Sequence, residues 1–308
     1  MYITKCPVCS SSHTMKNGKR YKVQLYRCRD CGHQFRHRKS PTDAMLWYQY
    51  QDHKQTIQEL SEMYGVSPST IKRRLRNVVM EWQQPPLLGQ SGFVHLDATY
   101  WGHNWGVLAA IDALTGKPLY LKFIKNETTN DYVEAVRSIE SRGYCIRGLI
   151  LDGMPSLFKA LSAYKIQMCQ FHMKKIIDRY LTKNPRLKAA RALSELMNTL
   201  TTAPKLQFET DFMRWQEQWA DTLSRKSLLK SGKTQYTHRR LRSAMNSLRT
   251  YLPYLFTYQL PECQGMPNTN NKIEGTFTDL KRNLNNHSGM TKENRKRFII
   301  GFFLALGQ

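Results

Sequence analysis

Three acidic residues that lie far apart in the 308-residue chain have the settings of a metal-binding active site. Asp97 lies inside the apolar segment FVHLDATYW, where an unpaired carboxylate is costly and a metal ion is a natural partner. Asp152 ends the apolar segment IRGLILD, and Glu274 lies in PNTNNKIEGTFTDLKRNL. Phosphodiester cleavage and strand transfer need two divalent ions, which converging carboxylates can hold. We therefore predict that these three acids are catalytic and bind two Mg²⁺ (or Mn²⁺) ions.

The choice of Glu274 has two competitors. Asn271 can cap a helix with Glu274 at its third position, which would make this acid half of a capping box. Asp279 is the nearest rival carboxylate. We prefer Glu274 because the helix that it begins carries Lys281 and Arg282 in a later turn, placed to bind a DNA backbone.

Four cysteines form the pairs Cys6-x2-Cys9 and Cys28-x2-Cys31, which are separated by 18 residues. Each pair can present two thiolates to one tetrahedral zinc ion, and the gap is long enough for a hairpin. Reduced structural cysteines are the alternative, but so short a segment has too little core to fold without metal. We predict a zinc ribbon with one structural Zn²⁺. Its basic residues suggest DNA contact, although a purely scaffolding ribbon is the alternative: Lys16, Lys19, Arg20, Lys22, Arg27, Arg36, Arg38 and Lys39.

The elements that must position the acids follow from the pattern after residue 93. The segments FVHLDATYW, WGVLAAIDA and PLYLKFIKNE predict three strands joined by tight turns. The next predicted elements are a helix over 131–142, a strand over 146–152, a helix over 156–164, a strand over 166–171 and a helix from 172 onward. The order β-β-β-α-β-α-β-α is that of the RNase H-like fold. We therefore predict an α/β RNase H-like catalytic core.

This strand order bears on the two aspartates. Asp152-Gly153 can be only a turn, and Asp112 closes the second strand just as neatly. In the RNase H-like order, however, the first and fourth strands are neighbours. Asp97 and Asp152 lie on these two strands, so we expect their carboxylates to meet.

Between residues 183 and 262 the strand signal vanishes and apolar residues keep helical spacing, which predicts an all-helical insertion into the core. A separate helical domain is the alternative, but Glu274 lies beyond this segment. The predicted domains are a zinc ribbon (1–40), a helix-turn-helix domain (41–86), the first part of the core (87–182), the insertion (183–262) and the last part of the core (263–308).

The segment QTIQELSEMYGVSPSTIKRRLRNV has the features of a helix-turn-helix. Apolar residues up to Met63 keep helical spacing, Gly65 allows a sharp turn, and Ser67 can cap a second helix in which Ile71 and Leu75 face inward. An amphipathic hairpin with a solvated basic face is the alternative. We predict that the outward residues of the second helix bind DNA, as a recognition helix does: Ser69, Thr70, Lys72, Arg73, Arg74 and Arg76.

The charge of the chain also indicates nucleic acid. There are 47 Lys and Arg residues against 23 Asp and Glu residues, a formal net charge of +24. Such an excess repels itself unless an anionic partner is bound, and nucleic acid is the commonest one. A membrane surface is the alternative, but the longest apolar run, Phe298 to Leu306, is about half of a membrane span. No signal-peptide pattern is present at the N-terminus.

The motifs HLDATY, LILDG, Cys169-Gln-Phe-His172 and NTNNKIEG, the last after a long helical stretch, make the chain resemble the Mutator-like DDE transposases of bacterial insertion sequences. The resemblance runs from about residue 93 to the end, and the two N-terminal domains are similar to the DNA-binding front of related transposases. It implies a DDE triad on Asp97, Asp152 and Glu274, magnesium-dependent cleavage at element ends, and transfer of 3′-hydroxyls into target DNA. Cys169 and His172 lack a second pair for zinc, so we expect them to support the active site; a core cysteine and a hydrogen-bonded histidine are the alternative.

We therefore predict a bacterial, cytoplasmic, nucleoid-associated transposase that binds terminal inverted repeats and target DNA. A dimer or larger assembly is expected because two element ends must be held together. A sequence-specific zinc-ribbon and helix-turn-helix regulator is one alternative, although it has no need of the acids. An RNase H-like nuclease that cuts without joining is another.

Overall fold

The computed structural model describes residues 5–20, 23–36, 41–229, 231–287 and 289–307. The chain forms two compact units, one of Met1–Glu81 with Leu280–Phe302 and one of Trp82–Asp279 with Phe303–Gln308. The five-part division predicted from the sequence stays a prediction, and residues 280–302 group with the N-terminal segments. Three of the basic residues predicted to contact DNA from the ribbon lie outside the described residues: Lys22, Arg38 and Lys39.

The first unit begins with a small antiparallel sheet. Its strands are β1 (Thr14–Arg20), β2 (Val23–Cys28) and β3 (Gln34–Arg36), in the order β1-β2-β3. The buried cluster of this sheet contains two cysteines and Phe35, with Tyr26 packed against them. A core of this size cannot offset the conformational entropy of ordering the segment, so another source of stability is needed.

Three helices follow in the first unit: α1 (Asp43–Gln51), α2 (Ile57–Tyr64) and α3 (Pro68–Asn77). Thr56 and Glu59 form a capping box at the start of α2, and Gly65 ends this helix in the left-handed region, with φ of 59°. The Ser67 side chain accepts the backbone N–H of Thr70 and so caps α3. Two capped helices joined by a tight turn therefore lie where the sequence predicts the helix-turn-helix.

The inward face of this motif differs from the prediction at one residue. Leu60, Ile71 and Leu75 are buried as expected, but Met63 is 52% exposed. Met63 lies three residues after Leu60 and one residue before the end of α2, where the chain already turns away at Gly65. Helical spacing alone does not reveal this, because the width of the buried face is set by the neighbouring helices.

Helix α12 (Lys292–Leu306) packs closely against α1 within the first unit. A Cβ at Gly301 would collide with Gln51 Oε1, so a larger residue here would have to displace this side chain. From the same helix, the Arg297 guanidinium donates hydrogen bonds to three carbonyl oxygens at the end of α3, those of Leu75, Arg76 and Val78. These bonds satisfy carbonyls that a helix end leaves without intrahelical partners.

The second unit is built on a mixed five-stranded sheet. Its strands are β4 (Ser91–Tyr100), β5 (Gly106–Asp112), β6 (Pro118–Ile124), β7 (Cys145–Leu151) and β8 (Ile166–Met168), in the order β6-β5-β4-β7-β8. The pairs β6-β5 and β5-β4 are antiparallel, whereas β4-β7 and β7-β8 are parallel. Hence the unit has a mixed α/β fold with β4 at the centre of the sheet.

Helices α4 (Thr129–Ser141), α5 (Pro155–Ala160) and α6 (Gln170–Leu181) alternate with the last strands, so the predicted order of elements is confirmed. Two predicted boundaries are wrong. Strand β8 ends at Met168, because the Cys169 carbonyl already accepts a helical hydrogen bond from Met173. Helix α5 ends at Ala160, four residues earlier than predicted.

The segment 183–262 is mainly helical, with α7 (Lys188–Asn198), α8 (Lys205–Gln218), α9 (Ala220–Ser224) and α10 (Arg239–Leu255). The prediction of an all-helical insertion is wrong at one place, where β9 (Lys226–Leu228) and β10 (Thr234–Tyr236) form a hairpin. Each strand has three residues and little buried surface, so the sequence carries no alternating pattern there. Helices α7, α8 and α10 share one hydrophobic cluster with the five-stranded sheet.

Among the described residues, none of the helices combines the length and the apolar character needed to cross a membrane.

Candidate active site

Strands β4 and β7 bring two of the predicted acids side by side. His95 of β4 pairs with Ile150 of β7 in parallel register, and Asp97 and Asp152 each lie two residues further along. Neighbouring strands are about 4.8 Å apart, and residues in the same register point to the same face. Burial, and then the negative charge of Asp152, raises the pKa of Asp97 well above its usual range. Without a metal ion, this pair of carboxylates therefore favours the protonated state of Asp97.

His172 lies between the second and third predicted acids. Its Nδ1 is 2.9 Å from Asp152 Oδ1, and its Nε2 is 3.4 Å from Glu274 Oε1. Burial lowers the pKa of His172, but Asp152 and Cys169 outweigh this effect and raise the pKa to about 10. The imidazole thus carries a positive charge between two carboxylates. The chain brings Asp152, His172 and Glu274 together from three separate elements.

This site has the donors that a hard cation needs. Within the described part of the chain, Glu274 Oε1 is buried and has no hydrogen-bond partner, and the same is true of His172 Nδ1. Asp97 is destabilised in its charged form by burial and by Asp152. Carboxylate oxygens are the protein ligands that Mg²⁺ prefers. Carboxylates of this kind suit Mg²⁺ in their chemistry, and the role of Asp97, Asp152 and Glu274 as its ligands stays a prediction.

The sequence did not indicate Asn270, which is fully buried and joins three parts of the site. Its Nδ2 donates to Asp152 Oδ1 at 2.7 Å, its Oδ1 lies 2.8 Å from His95 Nδ1, and its backbone N–H donates to Cys169 Sγ at 3.2 Å. Because the carboxylate of Asp152 can only accept, the Asn270 amide must present its oxygen to His95. Asn270 therefore orients Asp152 and fixes the start of the segment that carries Glu274.

His95 is the second residue that sequence reasoning missed. Burial lowers the pKa of His95 to about 4, so the imidazole is neutral and its Nδ1–H is the group that donates to Asn270. The available sequence signals were weak. His95 shares a strand face with Asp97, since they are two residues apart, and Asn270 belongs to an asparagine-rich run in which no position stands out.

A further carboxylate lies near Asp97. The charge of Glu127 contributes to the raised pKa of Asp97, and Tyr132 donates its hydroxyl to Glu127. This acid follows β6 in a segment that the sequence marks only as the end of a strand. Its position adds negative charge to the site without placing it among the three predicted ligands.

The rival Asp112 has a structural role. One of its oxygens accepts hydrogen bonds from the backbone of Leu114 and Thr115 and from the Thr115 hydroxyl, and the other accepts the Tyr144 hydroxyl. These donors outweigh burial and lower the pKa of Asp112. Asp112 thus closes the turn between β5 and β6 and has its acceptors occupied.

The capping-box explanation of Glu274 also fails. Helix α11 (Asn271–Asn285) makes its first backbone hydrogen bond from Glu274 N–H to the carbonyl of Asn270, so the cap residue is Asn270 and not Asn271. The Asn270 side chain is bonded to His95 and Asp152 and does not cap the helix. Glu274 makes no hydrogen bond back to the cap among the described residues.

The four N-terminal cysteines converge as the sequence predicts. Their sulfur atoms lie within 4.8 Å of one another, with Cys6 3.6 Å from Cys31 and Cys9 3.5 Å from Cys28. Zinc–sulfur bonds of about 2.3 Å in a tetrahedron place sulfurs about 3.8 Å apart. Burial raises the pKa of Cys6, but backbone N–H groups of Cys9 and Val8 outweigh it and lower the pKa to about 7. This four-cysteine cluster can bind zinc.

The predicted DNA-binding residues are placed unequally. Ser69, Lys72, Arg73 and Arg76 are exposed on α3, and Lys281 and Arg282 are exposed on α11. Thr70 is half-buried, and its hydroxyl lies 3.0 Å from that of Ser67. The prediction that Arg74 faces outward is wrong. Its guanidinium donates to Asp43 at 2.6 Å and to the Pro41 carbonyl, because the start of α1 lies over this side of α3.

Arg73 and Arg74 should therefore respond differently to replacement by alanine. We expect Arg73→Ala to weaken duplex DNA binding and to flatten its salt dependence by about 0.9 in log–log slope, the value for one lost phosphate contact. Arg74→Ala should instead lower the melting temperature, because it leaves Asp43 without its ion pair. Fluorescence anisotropy over a salt series and thermal melting measure the two effects. An unchanged slope for Arg73→Ala would remove this residue from the interface.

Comparisons with known proteins give little guidance. No family model matches the chain, and no curated protein matches it. Among solved structures, it is similar to a chain of the cryoEM structure of the simian T-cell lymphotropic virus intasome in complex with PP2A regulatory subunit B56 gamma. The identity is 14%, the match covers 52% of this chain and 69% of that chain, and the TM-score is 0.22. At that score the likeness carries no weight for fold or function.

Proposed function

We propose that this protein is a DDE transposase of the Mutator-like type, which binds the ends of an insertion sequence, cleaves DNA and transfers 3′-hydroxyl strands to target DNA. One observation carries the proposal. Asp152 and Glu274 lie on either side of His172, and Asp97 lies beside Asp152 in the register of the neighbouring strand. These contacts support one shared site for three acids that are more than 50 and 120 residues apart in the chain, as a two-metal mechanism requires.

The sheet supports an RNase H-like core for this proposal. Three antiparallel strands (β4, β5 and β6) precede two parallel strands, and β4 lies between β5 and β7. Asp97 lies on the first strand of this set, Asp152 directly follows the fourth, and Glu274 lies in the first turn of α11. The helical segment from α7 to α10 separates the second and third acids along the chain.

In this reaction Asp97, Asp152 and Glu274 would hold the two Mg²⁺ ions. Bound Mg²⁺ activates the attacking oxygen and stabilises the leaving oxygen of an in-line displacement at phosphorus. Asn270 holds the Asp152 carboxylate in a fixed orientation, and His95 holds the Asn270 amide. Hydrolysis at an element end frees a 3′-hydroxyl, which then attacks a target phosphodiester and displaces a new 3′-hydroxyl.

We assign DNA binding to the first unit and its exposed Lys and Arg residues. The four-cysteine cluster and the helix-turn-helix carry exposed Lys and Arg residues, and the whole chain has a formal net charge of +24. Phosphate contacts of this kind supply most of the affinity for DNA and position a recognition helix on the duplex. We infer that the partners are the terminal inverted repeats and target DNA. Two ends must be joined in one event, so the active form is a dimer or larger assembly.

A strand-transfer assay tests the proposal. Purified full-length protein is incubated with a duplex that carries the inverted repeat flanking its reading frame, together with a supercoiled plasmid and Mg²⁺. We expect strand cleavage at the repeat end followed by a product in which the repeat is joined to the plasmid, and omission of Mg²⁺ should block both steps while binding persists. Cleavage without joining would instead indicate a nuclease. Specific binding without cleavage in Mg²⁺ or Mn²⁺ would indicate a regulator and overturn the proposal.

A further inference from the structure

Next to the three predicted acids, Asp152, Cys169 and His172 form a second group of potential ligands. One carboxylate oxygen, one sulfur and one imidazole nitrogen all lie within 4.8 Å of one another. Zinc bonds to such atoms are about 2.0–2.3 Å long, so a tetrahedral ion keeps its ligand atoms about 3.3–3.8 Å apart. The three atoms therefore need only small side-chain shifts to bind one ion and leave its fourth position open.

The orientation of His172 indicates which nitrogen would bind. Its Nδ1 is buried and, in the described part of the chain, has no hydrogen-bond partner, although Asp152 Oδ1 is 2.9 Å away. Nδ1 is the nitrogen on the side of Asp152, so it is the one that an ion shared with this carboxylate would bind. The other nitrogen, Nε2, lies 3.4 Å from Glu274 Oε1. A carboxylate on the outer nitrogen of a metal-bound histidine fixes its tautomer and raises its basicity.

The other two ligands have outer partners as well. Cys169 is fully buried, and its sulfur accepts the backbone N–H of Asn270 at 3.2 Å. The Asn270 side chain donates to Asp152 at 2.7 Å. Cys169 and Asp152 are thus each held by Asn270, a group outside the set, and such outer partners support metal affinity in natural sites. A zinc ion bound by Cys169 and His172 therefore does not require a second cysteine and histidine pair, because Asp152 can supply its third ligand.

The chemistry of this set selects zinc and not magnesium. Thiolate and imidazole suit Zn²⁺, whereas Mg²⁺ requires oxygen ligands. Binding would release the thiol proton of Cys169 and any proton on His172 Nδ1 to solvent. Asp152 belongs to both sets, so an ion held by Cys169 and His172 withdraws this carboxylate from the magnesium site.

We propose that Asp152, Cys169 and His172 form a Zn²⁺ site, separate from the four-cysteine cluster, and that its occupation inhibits the magnesium-dependent reaction. The inhibitory part rests on the proposed function, whereas the binding part does not.

Zinc stoichiometry tests the binding part. Full-length protein is loaded with Zn²⁺, desalted and analysed for metal content, and the affinity of the second ion is measured by calorimetry. We expect two Zn²⁺ per chain for the wild type and for Cys145→Ser, a control on an exposed cysteine of β7. Cys169→Ser should retain one. Its second-site affinity should fall more than about 100-fold, since even outer partners of zinc ligands are worth about 10–100-fold.

His172→Gln guards against a folding defect in the cysteine variant, and the melting curve of each variant is recorded. The His172→Gln variant should also retain a single Zn²⁺ per chain and should melt in one cooperative transition. One ion per chain in the wild type would overturn the zinc site and leave the transposase proposal untouched.

Inhibition is measured as Zn²⁺ titration of strand cleavage at fixed Mg²⁺. Wild-type cleavage should fall as the second ion binds. For Cys169→Ser, the rate is compared with that of the same variant without added Zn²⁺. The Zn²⁺ concentration that halves this rate should be more than about 100-fold higher than for the wild type, in line with the lost affinity. A second ion that binds without lowering cleavage would overturn the inhibitory role. A second ion in a protein that never cleaves DNA would contradict the proposed function and leave the zinc site standing.

Discussion

Replacing Asp97 with asparagine is expected to reduce strand cleavage by at least about 10³-fold. A metal ion contributes several kcal/mol of transition-state stabilisation, and each 1.36 kcal/mol changes a rate about tenfold. The amide keeps the size of the side chain and removes its charge. Binding of the inverted repeat should persist, since Asp97 lies in the sheet of the second unit and not on the helix-turn-helix.

The same variant should be more stable than the wild type in the absence of metal. Because the folded-state pKa of Asp97 is raised, the stability that its protonated carboxyl contributes is fully present below the unfolded pKa and is lost as pH rises through the folded pKa. Asparagine removes this cost at neutral pH, so the melting temperature should rise. Mg²⁺ should raise the melting temperature of the wild type and leave that of Asp97→Asn unchanged. Loss of activity together with higher stability excludes misfolding as the cause.

Other variants distinguish predicted metal ligands from residues that only orient them. Asp152→Asn and Glu274→Gln should match Asp97→Asn, whereas Asn270→Ala should lower cleavage by about 10–100-fold, the usual effect of removing an outer partner of a metal ligand. Asp279→Asn, on an exposed acid of the same helix as Glu274, serves as the control and should cleave normally. Full activity in Asp97→Asn would refute the catalytic assignment, whatever the other variants do.

The sequence predicted the acids better than their surroundings, for a physical reason. Asp97 and Asp152 are marked by local features, a charge in an apolar strand and a charge at a strand end. Asn270 contacts His95 across 175 residues and Asp152 across 118 residues, so its role depends on the folded chain and not on its neighbours in sequence. The strands β4 to β7 could be predicted because each is a mainly apolar run of at least seven residues, long enough to stand out between turns.

The errors have the same origin. Arg74 repeats with its basic neighbours along α3, and only the packing of α1 shows that it pairs with Asp43, 31 residues earlier. The hairpin of β9 and β10 is too short and exposed to show a pattern. Local order in that hairpin comes from contacts such as Arg242, which lies 3.6 Å from the centre of the Tyr236 ring. Such pairs can be recognised only in the folded chain, where both residues are in contact.

Loss of zinc from the four-cysteine cluster should unfold the ribbon and little else. Cys28 and Cys6 are two of the three residues of its buried cluster, so removing the ion removes most of what holds β1, β2 and β3 together. Structural zinc contributes about 10–16 kcal/mol to small domains of this kind, far more than such a core can replace. We therefore expect Cys28→Ser to abolish amide-exchange protection of β1, β2 and β3 in the full-length protein.

Hydrogen-exchange mass spectrometry makes this prediction specific. Protection of β4 to β6 should be unchanged in Cys28→Ser, because those strands have their own core of aliphatic and aromatic side chains. Cys145→Ser, a control outside the cluster, should leave β1, β2 and β3 protected. DNA affinity then separates the two interpretations of the ribbon: a large loss indicates direct contact through its exposed basic residues, whereas a small loss indicates a scaffold. Retained protection in metal-free Cys28→Ser would mean that the thiols and three short strands suffice without an ion, contrary to the size of their core.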